Sequence, residues 1–176
     1  MRVLIILLGL FIFFEGCMNH NGLSPEQKKV EKEKIKSRID VFFVAYEEKN
    51  MDEIMSALTS SNEFSFFGSD VSEMGTSKAE FQNQMDMDWK LFEKVNFNNT
   101  KILSIVISDD GTLASALVST TFNVTINGTQ SSFTFRSALT FTNENGIWKI
   151  VQASFSVPSV GQSSAELVQE KLSKTQ

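Results

Sequence analysis

Beyond an apolar opening stretch, hydrophobic and polar positions follow two periods in succession. Over residues 26–49, Ile35, Ile39, Phe42, Phe43 and Tyr46 fall on one stripe against a charged back, which predicts a helix. Asn50-Met51-Asp52-Glu53 then reads as a helix start, with Asn50 as cap and Glu53 reaching back. The short helix it opens runs to about Leu58 and buries Met51, Ile54 and Leu58. Residues 63–67 predict a short strand, closed by Gly68-Ser69-Asp70. Ser77-Lys78-Ala79-Glu80 is a capping box and starts a third helix, reaching about Lys94, with Phe81, Met85, Trp89 and Phe92 on its inner face.

From Asn96 the period becomes two. Strands are predicted over 96–108, 113–126, 131–143 and 147–157. The breaks between them are turn sequences: Asp109-Asp110-Gly111, Asn127-Gly128 and Asn145-Gly146. Both residues of an Asn-Gly pair tolerate positive φ, so these two breaks predict tight hairpins. Four strands so linked make an antiparallel meander, and the three preceding helices can cover one of its faces. The class is α+β. Pro158 stops the last strand, and 159–176 is a polar tail with at most a short helix.

The opening stretch is a different kind of segment. Arg2 precedes an unbroken apolar run, Val3 to Phe14, and then Glu15-Gly16-Cys17. This is the layout of a secretory signal, and the run is short beside the roughly 20 apolar residues of a spanning helix. It resembles a bacterial lipoprotein signal, which implies removal of residues 1–16 and lipidation of Cys17 at the new N-terminus. An incidental cysteine in an ordinary leader is the alternative. Residues 17–26 read as a polar tether, leaving one domain over 27–158, held at a bacterial cell envelope, or else periplasmic or secreted.

Composition adds two facts. There are sixteen phenylalanines against one tyrosine and two tryptophans, so much of the interior, or the wall of an apolar cavity, must be phenylalanine. The net charge is -5, and the only dense basic run, Lys28 to Arg38, is interleaved with Glu31 and Glu33 on a predicted helix face. Nothing here tracks a phosphate backbone, so nucleic acid is not an expected partner. Cys17 is the only cysteine, which rules out an intramolecular disulfide.

The order of elements, with Phe42, Tyr46 and Asn50 early, Gly68 after the first strand, Arg136 late, and Gly146-Ile147-Trp148-Lys149-Ile150-Val151 before Ser156-x-Pro158, resembles the NTF2-like superfamily, specifically its SnoaL-like branch. That resemblance spans roughly 30–158 and implies a cone: three N-terminal helices packed on a strongly curved antiparallel sheet, with an apolar cavity at the wide end. It also implies pairing of two copies through the outer sheet face. Members include small-molecule isomerases, cyclases and dehydratases as well as non-catalytic binding domains, so activity does not follow from the fold.

The chemical inventory narrows the choice. Where the SnoaL-like branch commonly carries a histidine in the last strand, this chain has Gln152-Ala153-Ser154-Phe155, and its one histidine, His20, lies in the tether. Histidine-based acid–base catalysis and a multi-histidine metal site are therefore not expected, nor is a cofactor. Asp86 and Asp88 stand two apart and do not share a helix face, so solvent exposure is the simpler reading for both. Asp70 and Glu73, after the first strand, either reach a ligand or cap backbone amides. Tyr46 and Trp89 are core aromatics or hydrogen-bond donors to a ligand. Arg136 shares a strand face with Thr134, Ala138 and Thr140 and could hold an anion, pair across a dimer or sit in solvent. Tyr46, Phe66, Trp89, Phe92, Arg136 and Gln152 form the candidate ligand-contacting set, with no residue assigned to catalysis.

Three functions remain. The first is an envelope-anchored, non-catalytic domain that binds a small apolar ligand or associates with itself or another protein. The second is a SnoaL-like isomerase or hydrolyase using a pocket carboxylate and Tyr46. The third, a filled and purely structural domain, would show no cavity of roughly 300 Å³ or more.

Overall fold

The computed structural model describes residues 22–158 and, beyond them, Ser163, Glu166 and Ser173. The leader, Cys17, most of the tether and nearly all of the tail lie outside the described residues. The first helix, α1 (Pro25–Glu47), starts two residues inside the expected tether. Ser24 caps it by accepting from the Gln27 amide while the Gln27 side chain accepts from the Ser24 amide, and Pro25 sits where a missing N–H does no harm. The end of the tether is docked, with the Leu23 amide donating to the Asp109 carbonyl at 2.6 Å. No helix of the described residues is long and apolar enough to cross a membrane.

Next come α2 (Met51–Ala57), β1 (Ser65–Phe67), β2 (Met74–Gly75), α3 (Lys78–Leu91), β3 (Lys94–Ile107), β4 (Leu113–Ile126), β5 (Thr129–Glu144) and β6 (Ile147–Ser156). The predicted caps are in place: Asn50 Oδ1 accepts from the Glu53 amide at 3.1 Å and Ser77 Oγ from the Glu80 amide at 3.2 Å. Both Asn-Gly pairs make two-residue hairpins, with φ of 49° and 72° at Asn127-Gly128 and 56° and 86° at Asn145-Gly146.

The six strands form one sheet in the order β2-β1-β6-β5-β4-β3. Strands β3 to β6 are the expected antiparallel meander. The expectation of a strongly curved, wholly antiparallel sheet wrapped as a cone is corrected. The sheet is mixed, because β1 runs parallel to β6 with Phe66 beside Ala153. It is open, with β2 and β3 as separate edges, and neither strongly curved nor closed. The physical reason for the parallel strand lies upstream: the Thr59 amide donates to the Ile150 carbonyl, so the chain leaves α2 already running alongside β6. Bulges in β3 and between β5 and β6 bend the ladder locally without closing it.

The helices cover one face of this sheet. Strand β4 alternates without a break, turning Ala114, Ala116, Val118, Thr120, Phe122 and Val124 inward. The one polar side chain in that row, Thr120, donates to the Asn98 carbonyl at 3.0 Å and shares a hydrogen bond with Thr100. Its hydroxyl is therefore satisfied despite burial. Gly75 lies so close to Phe66 that a Cβ would stand 2.6 Å from the ring, so the β1–β2 hairpin can fold over Phe66 only with glycine there.

Candidate functional site

Between α1, α3, the β1–β2 hairpin and the inner sheet face lies a cavity of about 120 Å³. Ten of its lining residues are phenylalanines, so the phenylalanine excess is spent largely on this wall. They include Phe42, Phe66, Phe81 and Phe92 around the helices and hairpin, and Phe97, Phe122, Phe133, Phe135 and Phe155 on the sheet. The volume is well below the roughly 300 Å³ set as the threshold for an open site, so size alone favours the filled, structural reading, and the case for a site rests on the polar groups in the wall. The volume is close to the ~150 Å³ apolar cavity that holds benzene in another protein.

One end of this apolar space is polar. Helical spacing sets Phe81, Gln84, Met85, Asp88 and Phe92 on one stripe of α3, and all five line the cavity. Tyr46, one turn after Phe42 and Phe43 on α1, faces Asp88 and donates its hydroxyl to Asp88 Oδ2 at 3.0 Å. Gln84 bridges two carboxylates: its Nε2 donates to Asp88 Oδ1 at 3.0 Å and to Glu73 Oε1 at 3.2 Å. Glu73 Oε2 in turn accepts from the amides of Ser69 and Asp70, at 2.7 and 3.0 Å. A continuous chain of hydrogen bonds thus runs from Tyr46 through Asp88, Gln84 and Glu73 into the loop after β1.

The electrostatics follow from this arrangement. Burial pushes the Asp88 carboxyl above the usual carboxylate range; the Tyr46 and Gln84 bonds draw it back, and the Glu73 charge adds a further upward push. Tyr46 is driven far up, first by burial and then by the neighbouring Asp88 charge. The tyrosine therefore stays a neutral donor at any ordinary pH. The aspartate is a carboxylate in an apolar wall, a better proton acceptor than one in water.

Of the candidate ligand-contacting set, Tyr46, Phe66 and Phe92 meet at the cavity. Trp89 does not line it. It packs edge-on against Tyr46 with ring centroids 5.7 Å apart, and its Nε1 is buried with no acceptor among the described residues. Arg136 is exposed on β5, opposite Ser119 and Ser156. Gln152 is exposed as well, for a local reason. Trp148 and Ile150 point inward, and strict alternation would carry Gln152 in with them. The extra residue Val151, between the pairs Phe141–Ile150 and Thr140–Gln152, shifts the parity, so Ala153 is buried instead and Phe155 reaches the cavity.

Sequence reasoning missed Asp88 and Gln84. The two-residue spacing of Asp86 and Asp88 predicts solvent exposure for both, but Asp88 alone stands three residues after Met85 and four before Phe92, on the inner stripe. That spacing was the available signal. Glu73 both caps the loop amides and lines the cavity, whereas Asp70 is exposed and accepts from Ser72.

Comparison with known proteins agrees with this architecture. Residues 35–159 match the profile of the SnoaL-like domain. No curated protein matches the sequence. Among solved structures, an NTF2-like superfamily protein from Salmonella enterica serovar Typhimurium is similar at 19% identity and a TM-score of 0.65, over 77% of this chain and 99% of that one. A provisionally named scytalone dehydratase from Novosphingobium aromaticivorans is similar at 10% identity and a TM-score of 0.66, over 80% and 99%. A ketosteroid isomerase-like protein from Erwinia carotovora atroseptica follows at 12% identity and a TM-score of 0.61, over 71% and 94%. At such identities the likeness is one of fold.

Proposed function

The chain belongs to the SnoaL-like domain family, and from that premise we propose that it is a small-molecule isomerase or hydrolyase in which Asp88 moves a proton and Tyr46 donates a hydrogen bond. One observation carries this reading: the 3.0 Å bond between Tyr46 and Asp88 at the polar end of a phenylalanine-walled cavity, with Asp88 raised by burial. The reading of a binder without catalysis rests on the missing histidine, and a half-buried carboxylate bonded to Tyr46 weakens that support. The names of the Novosphingobium and Erwinia proteins, a dehydratase and an isomerase-like protein, lie in the same direction.

The proposed step is simple in its atoms. Asp88 takes a proton from a carbon next to a carbonyl, and the electron pair left behind delocalises onto the carbonyl oxygen. When substrate enters, the Tyr46 hydroxyl gives up its bond to Asp88, which frees the carboxylate as base, and donates its one proton to that oxygen instead. Returning the proton at a conjugated carbon completes an isomerisation, and expelling a β-hydroxyl as water completes a dehydration. Neither needs a co-reactant. The phenylalanine wall partly shields the carboxylate from water and so raises its basicity.

Two further elements belong to the proposal. The leader pattern supports a lipid anchor at Cys17 and residence at the cell envelope. The outer sheet face, where Leu113, Leu117 and Val106 stand exposed among serines and threonines, supports pairing with a second copy.

The test uses 3-cyclohexenone, whose conversion to conjugated 2-cyclohexenone is followed by ultraviolet absorbance. Wild-type protein should accelerate the conversion, and Asp88→Asn should lose roughly a hundredfold or more while remaining folded by circular dichroism. The rate should rise with pH through an apparent pKa above the ordinary aspartate range. Equal rates for wild type and Asp88→Asn would remove Asp88 from the chemistry.

A further inference from the structure

Resting on the reading of Asp88 and Tyr46 as the polar end of the site, we propose that the cavity selects a single six-membered ring bearing one hydrogen-bonding oxygen, rejects two fused rings, and owes that limit to Phe133. Three observations lead there. First, about 120 Å³ is of the same order as the ~150 Å³ cavity known to take one benzene ring, which leaves no room for two fused rings. Second, the hydrogen-bonding side chains cluster at one end, Tyr46 with Asp88, Gln84 and Glu73, while the remaining wall is almost wholly phenylalanine. A ligand with a second oxygen on the far side would leave it unpaired against aromatic carbon.

Third, the wall cannot yield to a larger ligand at most of its positions. Phe122 is held by five rings at once, Tyr46, Phe92, Phe97, Phe133 and Phe135, with centroids 5.1 to 6.4 Å away. Phe81 is fully buried and packs edge-on against Phe66 at 5.0 Å. Phe92 and Phe133 are both half-buried, and each has one ring contact among the described residues, with Phe122 at 5.8 and 5.1 Å. Phe92 stands one turn after Asp88, beside the hydrogen-bonding side chains. That leaves Phe133 as the one loosely held ring of the sheet wall, the panel whose removal lengthens the site with least disturbance.

Calorimetric titration with phenol and with 2-naphthol tests this. Wild-type protein should bind phenol roughly tenfold or more tighter than 2-naphthol, and Phe133→Ala should reverse that order. Phe133→Leu, a gentler truncation, should move the ratio the same way by a smaller factor and serves if the alanine variant unfolds. Tyr46→Phe should weaken phenol by about tenfold in both backgrounds. Naphthol binding to wild type as tightly as phenol, still weakened by Tyr46→Phe, would overturn the one-ring limit and leave the Asp88–Tyr46 site standing. Phenol bound by neither protein, or bound with no response to Tyr46→Phe, would overturn both.

Discussion

Replacing Tyr46 by Phe isolates the hydrogen bond at the centre of the site. The ring is buried and its shape is unchanged by the substitution, so no cavity opens and the edge-on contacts with Trp89, Phe97 and Phe122 can persist. What disappears is the hydroxyl that donates to Asp88 Oδ2 at 3.0 Å. With the carboxylate ionised, a bond of this kind contributes about 1.5–3 kcal/mol. Asp88 is only partly buried and keeps Gln84, which places the expected loss near the lower end, about 1.5 kcal/mol. With the carboxyl protonated the bond is between neutral groups and contributes about 0.5–1.5 kcal/mol.

The cost must therefore depend on pH, and its sign is determined. Tyr46 lowers the Asp88 pKa, so removing it lets the value climb further above the ordinary 3.8. The variant then binds a proton more readily in its native state than wild type does, and its stability deficit grows as pH rises through the Asp88 titration. Guanidinium unfolding at about pH 8 and about pH 4 should give a larger deficit at the higher pH, by roughly 0.5–1 kcal/mol. An equal deficit at both, or less than about 0.5 kcal/mol at the higher pH, would refute a bond to an ionised carboxylate.

Asp88 itself, its pKa raised, opposes folding once ionised. The other shifted carboxylates are lowered and act in the opposite sense. The Asp88 contribution is therefore read as a difference: the stability of Asp88→Asn relative to wild type should rise as pH climbs from the ordinary aspartate range through the raised value. Leu117→Lys, at a half-exposed position on the outer sheet face, should shift sedimentation toward the monomer while leaving the circular dichroism of the folded chain unchanged; an unchanged sedimentation coefficient would exclude that face as the contact. Intact mass of membrane-extracted protein should show acyl chains on a product beginning at Cys17, and an unmodified soluble chain would reject the anchor.

The residues that local physics governs were legible in advance. Asn50 and Ser77 accept from amides three residues on, a geometry complete within one turn of chain. Asn127-Gly128 and Asn145-Gly146 turn because both residues of each pair adopt positive φ, again with no help from afar. The inner stripes of α1 and α3 and the alternation of β4 follow from the periods of helix and strand. The phenylalanine count foretold an aromatic interior, though not that ten of these rings would wall one small space.

What only the tertiary structure decided are contacts between distant segments. Strand β1 runs parallel to β6 because the Thr59 amide meets the Ile150 carbonyl, two residues far apart in the chain whose pairing no local pattern announces. A single inserted residue in β6 turned Gln152 outward, since a sheet's period of two makes any odd shift reverse every later side chain. Asp88 became the centre of the site only when α3 lay against α1 and brought it to Tyr46, 42 residues away. Helical spacing puts a carboxylate on a face. Whether that face meets water or a wall of phenylalanine, and so how strongly the carboxylate holds its proton, is set by what the rest of the chain packs against it.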